Sequence, residues 1–305
     1  VHGRATWLQG LKFTRDVAKL GVDAAIIFSD LLPILEPMGM DLEFVKGDGP
    51  VIHNPIREAG DVDRVLDLES VDSLHYVMET VRHTRADLPE DLPLIGFAGA
   101  PFTLASYAIE GGSSRNYLHS KTLMFRDGGA WHELMQRLAR AVTVYLNAQI
   151  SAGAQCVQLF DSWAGCLGPD DYRTFVLPHV QNIIAGLQPG VPVINFATGN
   201  PALLPLLAEG FATAKHAVPV VGVDWRVRLD DAWNTVGHDK AVQGNLDPLT
   251  LLADVDTIRM RAKDVLDQAA KRPGHIFNLG HGVLQQTPVD NAIALVDAVH
   301  ELSQA

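Results

Sequence analysis

The sequence predicts a parallel α/β fold of the TIM (β/α)8 barrel type, on three observations. Short apolar runs alternate with long amphipathic ones along the chain. The short runs are apolar almost throughout, as suits strands buried on both faces of a parallel sheet. No GxGxxG string follows the first run and no P-loop string occurs anywhere, which argues against a dinucleotide-binding or nucleotide-hydrolysing sheet.

The expected strands, in order, are AAIIFS (24–29), PLIGFA (93–98), QCVQLF (155–160), VPVINFA (191–197), PVVGVD (219–224), AVQGN (241–245) and HIFNLG (275–280). Helical spacing fills the intervals. Over 131–150 the residues Trp131, Leu134, Met135, Leu138, Val142, Tyr145 and Leu146 recur at three and four, one face of a helix. Residues 170–187, 249–269 and 288–303 read the same way. Strands alternating with helices give one α/β domain over 1–305, with no repeat or linker. Seven strands are one fewer than this barrel needs. The missing one must precede residue 24, yet residues 1–20 read as helix or loop. The expectation is therefore a barrel with a gap, or one closed by seven strands, its first strand missing from this chain. The chain also opens on Val1 rather than Met, so residues are expected to be absent ahead of it.

Composition narrows the function. A chain of 305 residues, 47% hydrophobic and 20% charged, is that of an ordinary soluble enzyme. Its net charge of −12 argues against nucleic acid or an anionic membrane as partner. No run approaches the length of a membrane span, and no signal peptide is visible. Two cysteines, Cys156 and Cys166, make no disulfide scaffold. A cytoplasmic setting follows, with Cys156 read as a small buried hydrophobe.

Barrel enzymes carry their chemistry where strands end. Here the strand ends offer Asp30, Tyr107, Asp161, Ser162, Asp224, Asn245, Asp247 and His281. An acid in such a place often does no more than cap the next helix, and that reading applies to Asp161, Asp224 and Asp247. Asp30 is different. Leu31, Leu32 and Pro33 follow it, and an acid in apolar surroundings needs a partner. Gly96, Gly99, Gly111, Gly112, Gly280 and Gly282 serve turns, or let backbone approach a broad ligand.

Taken together, FSDLL, GFAGAPFTLASYAIEGG, FDSWAG, GPDDYRTFVLPH, VVGVDW, QGNLDP and IFNLGHGVLQQTP resemble the uroporphyrinogen decarboxylase family, in order, from about residue 20 to residue 303. The resemblance implies a cofactor-free and metal-free lyase of tetrapyrrole (haem) biosynthesis. It would convert the four acetate arms of uroporphyrinogen III to methyls, giving coproporphyrinogen III. It implies a homodimer and a catalytic aspartate, Asp30, receiving the pyrrole N–H groups. It also implies substrate contacts from Tyr107, Ser162 and His281, with Phe97, Gly99 and Ala100 beneath the macrocycle.

The match departs at its start. The family opens with a strand and an RQAGRY-like string whose arginines bind substrate carboxylates. This chain has only His2-Gly3-Arg4 there, so no catalytic arginine carries over. Arg4, Lys12, Arg15, Arg115 and Lys121 are the candidate substitutes, each otherwise an ordinary surface charge. Two other functions stay open: a catalytically impaired porphyrinogen-binding homologue, and a barrel methyltransferase. The latter would hold zinc through a His-x-Cys string, where this chain reads INFATGN.

Overall fold

The computed structural model describes residues 14, 16–27, 30–45 and 49–304. Seven parallel strands form one sheet: β1 (Ala25–Ile26), β4 (Leu94–Gly99), β5 (Cys156–Asp161), β6 (Pro192–Ala197), β7 (Val218–Gly222), β8 (Ala241–Leu246) and β9 (His275–Leu279). They are the seven expected strands, with ends shifted by a residue or two at most sites. β1 is the exception, because residues 28 and 29 of the expected run lie outside the described residues. The order across the sheet is β1-β4-β5-β6-β7-β8-β9, each strand beside its predecessor. A doubly wound sheet would reverse direction partway; this one winds a single way, as a barrel does.

The sheet is curled. Gln158 of β5 and Gln243 of β8 meet in a side-chain hydrogen bond of 3.3 Å, although β6 and β7 lie between them. In a flat sheet those strands would stand about 14 Å apart with parallel side chains. Register puts Ile194, Phe196, Val220, Ala241, Asn245 and Ile276 on the same inner face. Ile194, Phe196 and Val220 form an apolar cluster there with Cys156, Phe160 and Ala241. Cys156 thus points into the barrel and is only partly buried, and burial pushes its thiol up to about 12. Along β9 the inner face stays accessible: Ile276 is 41% exposed.

The larger core lies between sheet and helices. The helix Gly128–Ala152 buries all seven residues predicted from its spacing. Asp127 caps its start by accepting from the Ala130 N–H. Two expected helices are each divided. The run at 170–187 becomes Pro169–Phe175 and Leu177–Gly186, because Pro178 has no N–H to continue the ladder. The run at 249–269 becomes a short 3-10 turn, Pro248–Leu252, and the helix Val255–Ala269. Asp247 and Asp254 cap these two in turn. The helix Val289–Ser303 carries the outer layer from β9 round to the segment before β1, where His300 Nε2 reaches Asp23 at 2.9 Å. An antiparallel hairpin, β2 (Leu42–Val45) with β3 (Gly49–Ile52), stands apart from the main sheet.

Candidate active site

Asp30 follows β1 and is half-buried. Its Oδ1 accepts from the Leu32 N–H at 2.9 Å, and burial pushes its carboxyl above the ordinary aspartate value. The predicted partner is therefore a backbone turn, and the carboxylate remains under-solvated. Gly99 makes room for this turn. A Cβ there would lie 2.8 Å from Leu104 Cδ2 and 3.4 Å from Leu31 Cβ. So protein side chains, Leu104 and Leu31, pack directly over Gly99. Ala100 is buried at the start of the helix Pro101–Glu110 and donates its N–H to the Phe160 carbonyl at 2.9 Å.

That helix carries Tyr107. Burial raises its hydroxyl's pKa, and the nearby Asp30 charge adds to the rise. Its ring lies against Trp163, with centroids 3.8 Å apart. Trp163 is held in turn by a relay: its N–H donates to Thr103 Oγ1, which donates to Asp161 Oδ1 at 2.7 Å. Asp161 is thus no cap for the helix that follows it, contrary to the simplest expectation. It receives the N-terminal Thr103 of a different helix, and burial pushes its carboxyl up to about 6. Ser162 stands beside Trp163 at the end of β5, and its carbonyl accepts from Thr198 Oγ1 after β6.

Edge-to-face rings floor the space between. Phe97 meets Phe160 at 6.5 Å and Phe160 meets Phe196 at 6.0 Å, while Phe196 lies 6.4 Å from His281. His281 follows β9. Desolvation lowers its pKa, the charge of Arg226 lowers it further, and Asp224 opposes both. Asp30, Ser162 and His281 therefore stand at the C-terminal ends of strands, and Tyr107, on the helix after β4, reaches the same rim through its stack on Trp163.

Asp224 is no helix cap either. It accepts from the Gly199 N–H at 2.7 Å, the Arg226 N–H at 2.9 Å and Arg226 Nη1 at 2.6 Å. Asp247 does cap, as expected. Of the candidate cations, Arg4, Lys12 and Arg15 lie outside the described residues. Arg115 is exposed, and Lys121 Nζ donates to the Cys166 carbonyl at 2.7 Å, beside the loop after β5. Trp163, Phe160, Phe196, Trp225 and Arg226 were not singled out from the sequence. The tryptophan one or two residues after the acid in FDSW and VDW was the available signal. A groove of about 820 Å³ opens beside the rim, lined at one end by Trp225, Arg226, Asn245 and Asp247.

A parallel barrel with a desolvated acid and aromatic rings at the C-terminal rim defines an enzyme of the barrel class. Solved structures agree on the fold: a methyltransferase from Methanosarcina mazei superimposes with a TM-score of 0.79 at 20% identity, covering 97% of this chain and 85% of that one. A B12-independent methionine synthase from Listeria monocytogenes, described as putative, superimposes at 0.64 and 12%, covering 98% and 87%. The uroporphyrinogen decarboxylase family model matches residues 14–302. Uroporphyrinogen decarboxylase of Carboxydothermus hydrogenoformans is 52% identical over 94% of this chain and 81% of its own length. That of Sorangium cellulosum is 50% identical over 97% and 83%. The chain belongs to the uroporphyrinogen decarboxylase family.

Proposed function

We infer that this protein removes CO₂ from the four acetate arms of uroporphyrinogen III to give coproporphyrinogen III, with Asp30 as its central group. The observation that carries this is the half-buried Asp30 carboxylate facing Tyr107 at the strand ends of a chain about half identical to named decarboxylases. Protonation of a pyrrole carbon makes the ring a cation and an electron sink. The C–C bond to the carboxylate then breaks with release of CO₂, its electron pair neutralising the ring. The exocyclic methylene takes up a proton, and the ring carbon gives back the one it first received, which restores the pyrrole and leaves a methyl group. An anion beneath the ring favours the cationic state over the neutral ground state. The desolvation that raises the Asp30 pKa also enlarges the gain when pyrrole N–H donors arrive, since little water is displaced. Tyr107 holds one side of this carboxylate, Ser162 and His281 contact substrate, and the rings from Phe97 to Phe196 lie under the macrocycle.

In this reading the whole of 1–305 acts as one domain and needs neither metal nor organic cofactor, so chelator treatment leaves activity intact. The protein works in the cytoplasm; no helix among the described residues is long and apolar enough to cross a membrane. It pairs as a homodimer with the mouths near the interface. Exposed Leu249, Leu252 and Val289 support this arrangement. They flank segments near the rim that Asn291 joins through the Leu251 and Ala253 carbonyls. The test of function is anaerobic incubation with uroporphyrinogen III and separation of products by carboxylate number. Coproporphyrinogen is the expected product; unchanged substrate would support the impaired-homologue reading.

A further inference from the structure

Asp161 ends β5 fully buried, and burying a carboxyl costs stability unless it is well bonded. Its side chain bonds to one residue. Thr103 donates to Oδ1 twice, from its N–H at 3.1 Å and from Oγ1 at 2.7 Å, and Oδ2 has no partner among the described residues. A hydroxyl has one proton and two lone pairs. With the proton committed to Asp161, the lone pairs of Thr103 Oγ1 face the loop after β5, where the Trp163 N–H donates to them at 3.2 Å. Asp161 thus orients Thr103, and Thr103 fixes the backbone of Trp163.

Tyr107 stands four residues after Thr103, one turn further along the same face of the helix Pro101–Glu110. The Trp163 ring meets the Tyr107 ring there, with centroids 3.8 Å apart, and Tyr117 meets the Trp163 ring edge-on at 5.5 Å. The loop has little room to yield: a Cβ on Gly165 would sit 2.2 Å from the Thr198 carbonyl oxygen. The same helix also packs toward Asp30. Leu104, three residues before Tyr107, crowds Gly99 together with Leu31, the neighbour of Asp30.

We propose that Thr103, oriented by Asp161, is a positioning residue for the decarboxylation: it holds Trp163, and through Trp163 it holds the Tyr107 hydroxyl at the Asp30 carboxylate. The proposal rests on the decarboxylase reading for the step that this hydroxyl serves. Thr103 itself is 1% exposed, so it acts on the pocket only through these neighbours.

Removing Asp161 would strand both Thr103 donors in the core and threaten the fold, so the test is made at Thr103. Thr103→Val keeps the shape and cuts only the hydroxyl bonds; Thr103→Ser keeps the hydroxyl. Each is made alone, and Thr103→Val also in the Tyr107→Phe background. Steady-state kinetics on uroporphyrinogen III are measured below the melting temperature of every variant. Thr103→Val is expected to lower kcat about tenfold with KM changed less than about threefold, since a displacement of about 1 Å at a reacting centre costs up to about 10² in rate. Thr103→Ser should stay near wild type. In the Tyr107→Phe background Thr103→Val should cost less than about twofold, because the hydroxyl it positions is gone. An equal loss in both backgrounds would overturn the proposal, since Thr103 would then act by another route. An unchanged kcat in Thr103→Val would overturn it too.

A second measurement needs no substrate. With all 5 tyrosines replaced by fluorotyrosine, the fluorine-19 signal of Tyr107 is identified by its loss in Tyr107→Phe and carries the ring-current shift of Trp163. Thr103→Val should move that signal and Thr103→Ser should leave it in place; a signal unmoved by Thr103→Val overturns the proposal. If the wild-type protein leaves uroporphyrinogen III unchanged, the decarboxylase reading falls, and this signal alone decides whether Thr103 places Tyr107.

Discussion

The ring of Tyr107 lies nearly flat on that of Trp163, with centroids 3.8 Å apart and planes 27° apart. Because Trp163 is itself tied through Thr103 to Asp161, the position of the Tyr107 hydroxyl is set by a chain that crosses from β5 to the helix after β4. Tyr107→Phe should keep this stack while losing the hydroxyl near Asp30. Its kcat is expected to fall by about ten- to hundredfold with the fold intact. Near-UV circular dichroism and single-turnover rates check the two halves; an unchanged rate would remove Tyr107 from the site.

Asp30→Asn is similar in size and can still accept from the Leu32 N–H, so it should fold. It cannot balance a cationic ring, and loss of such a preorganised contact costs about 10²–10³ in rate. Because burial raises the Asp30 pKa, the acid limb of wild-type kcat/KM should lie above the ordinary aspartate value of 3.8, with activity lost as pH falls through it. A pH–rate profile on free substrate measures this directly.

Asp161 offers a stability test away from the substrate. Its folded pKa of about 6 exceeds the ordinary 3.8, so between these values the folded state holds a proton that the unfolded chain releases. The neutral acid's stabilisation therefore grows as pH falls through 6 and is gone above it. Between about pH 7.5 and pH 5 the Asp161 contribution should change by about 1.4 kcal/mol. Asp161→Asn lacks that change, so its stability relative to wild type should be greater at the higher pH. Urea unfolding of both proteins at the two pH values gives the comparison; a constant difference would contradict it.

Gly99→Ala tests the seat of Asp30. Its Cβ would press on Leu104 and Leu31, and overpacking of this kind costs about 1–3 kcal/mol. Since Leu31 adjoins Asp30, activity should fall along with the melting temperature. A variant destabilised but fully active would show that the turn can yield without moving the carboxylate.

Sequence alone determined the seven parallel strands and their winding class, because near-continuous apolar runs of six or so residues are stable only when covered on both faces. It also determined the long helix 128–152, whose spacing is set by the helical repeat itself. Asp30 stood out for the same local reason: a charge followed by Leu-Leu-Pro must be either strained or functional. The β2–β3 hairpin escaped because Leu42–Val45 and Gly49–Ile52 show no alternation of buried and exposed positions. The true roles of Asp161 and Asp224 also waited on the fold. An acid at a strand end caps its own helix or reaches a neighbour's, according to which loop packs beside it. Most of all, tertiary structure decided that Arg226, Trp225 and His281 share one corner of the rim. They are about fifty residues apart in the chain, and only the parallel register of β7, β8 and β9, with the curl of the sheet, brings their loops together.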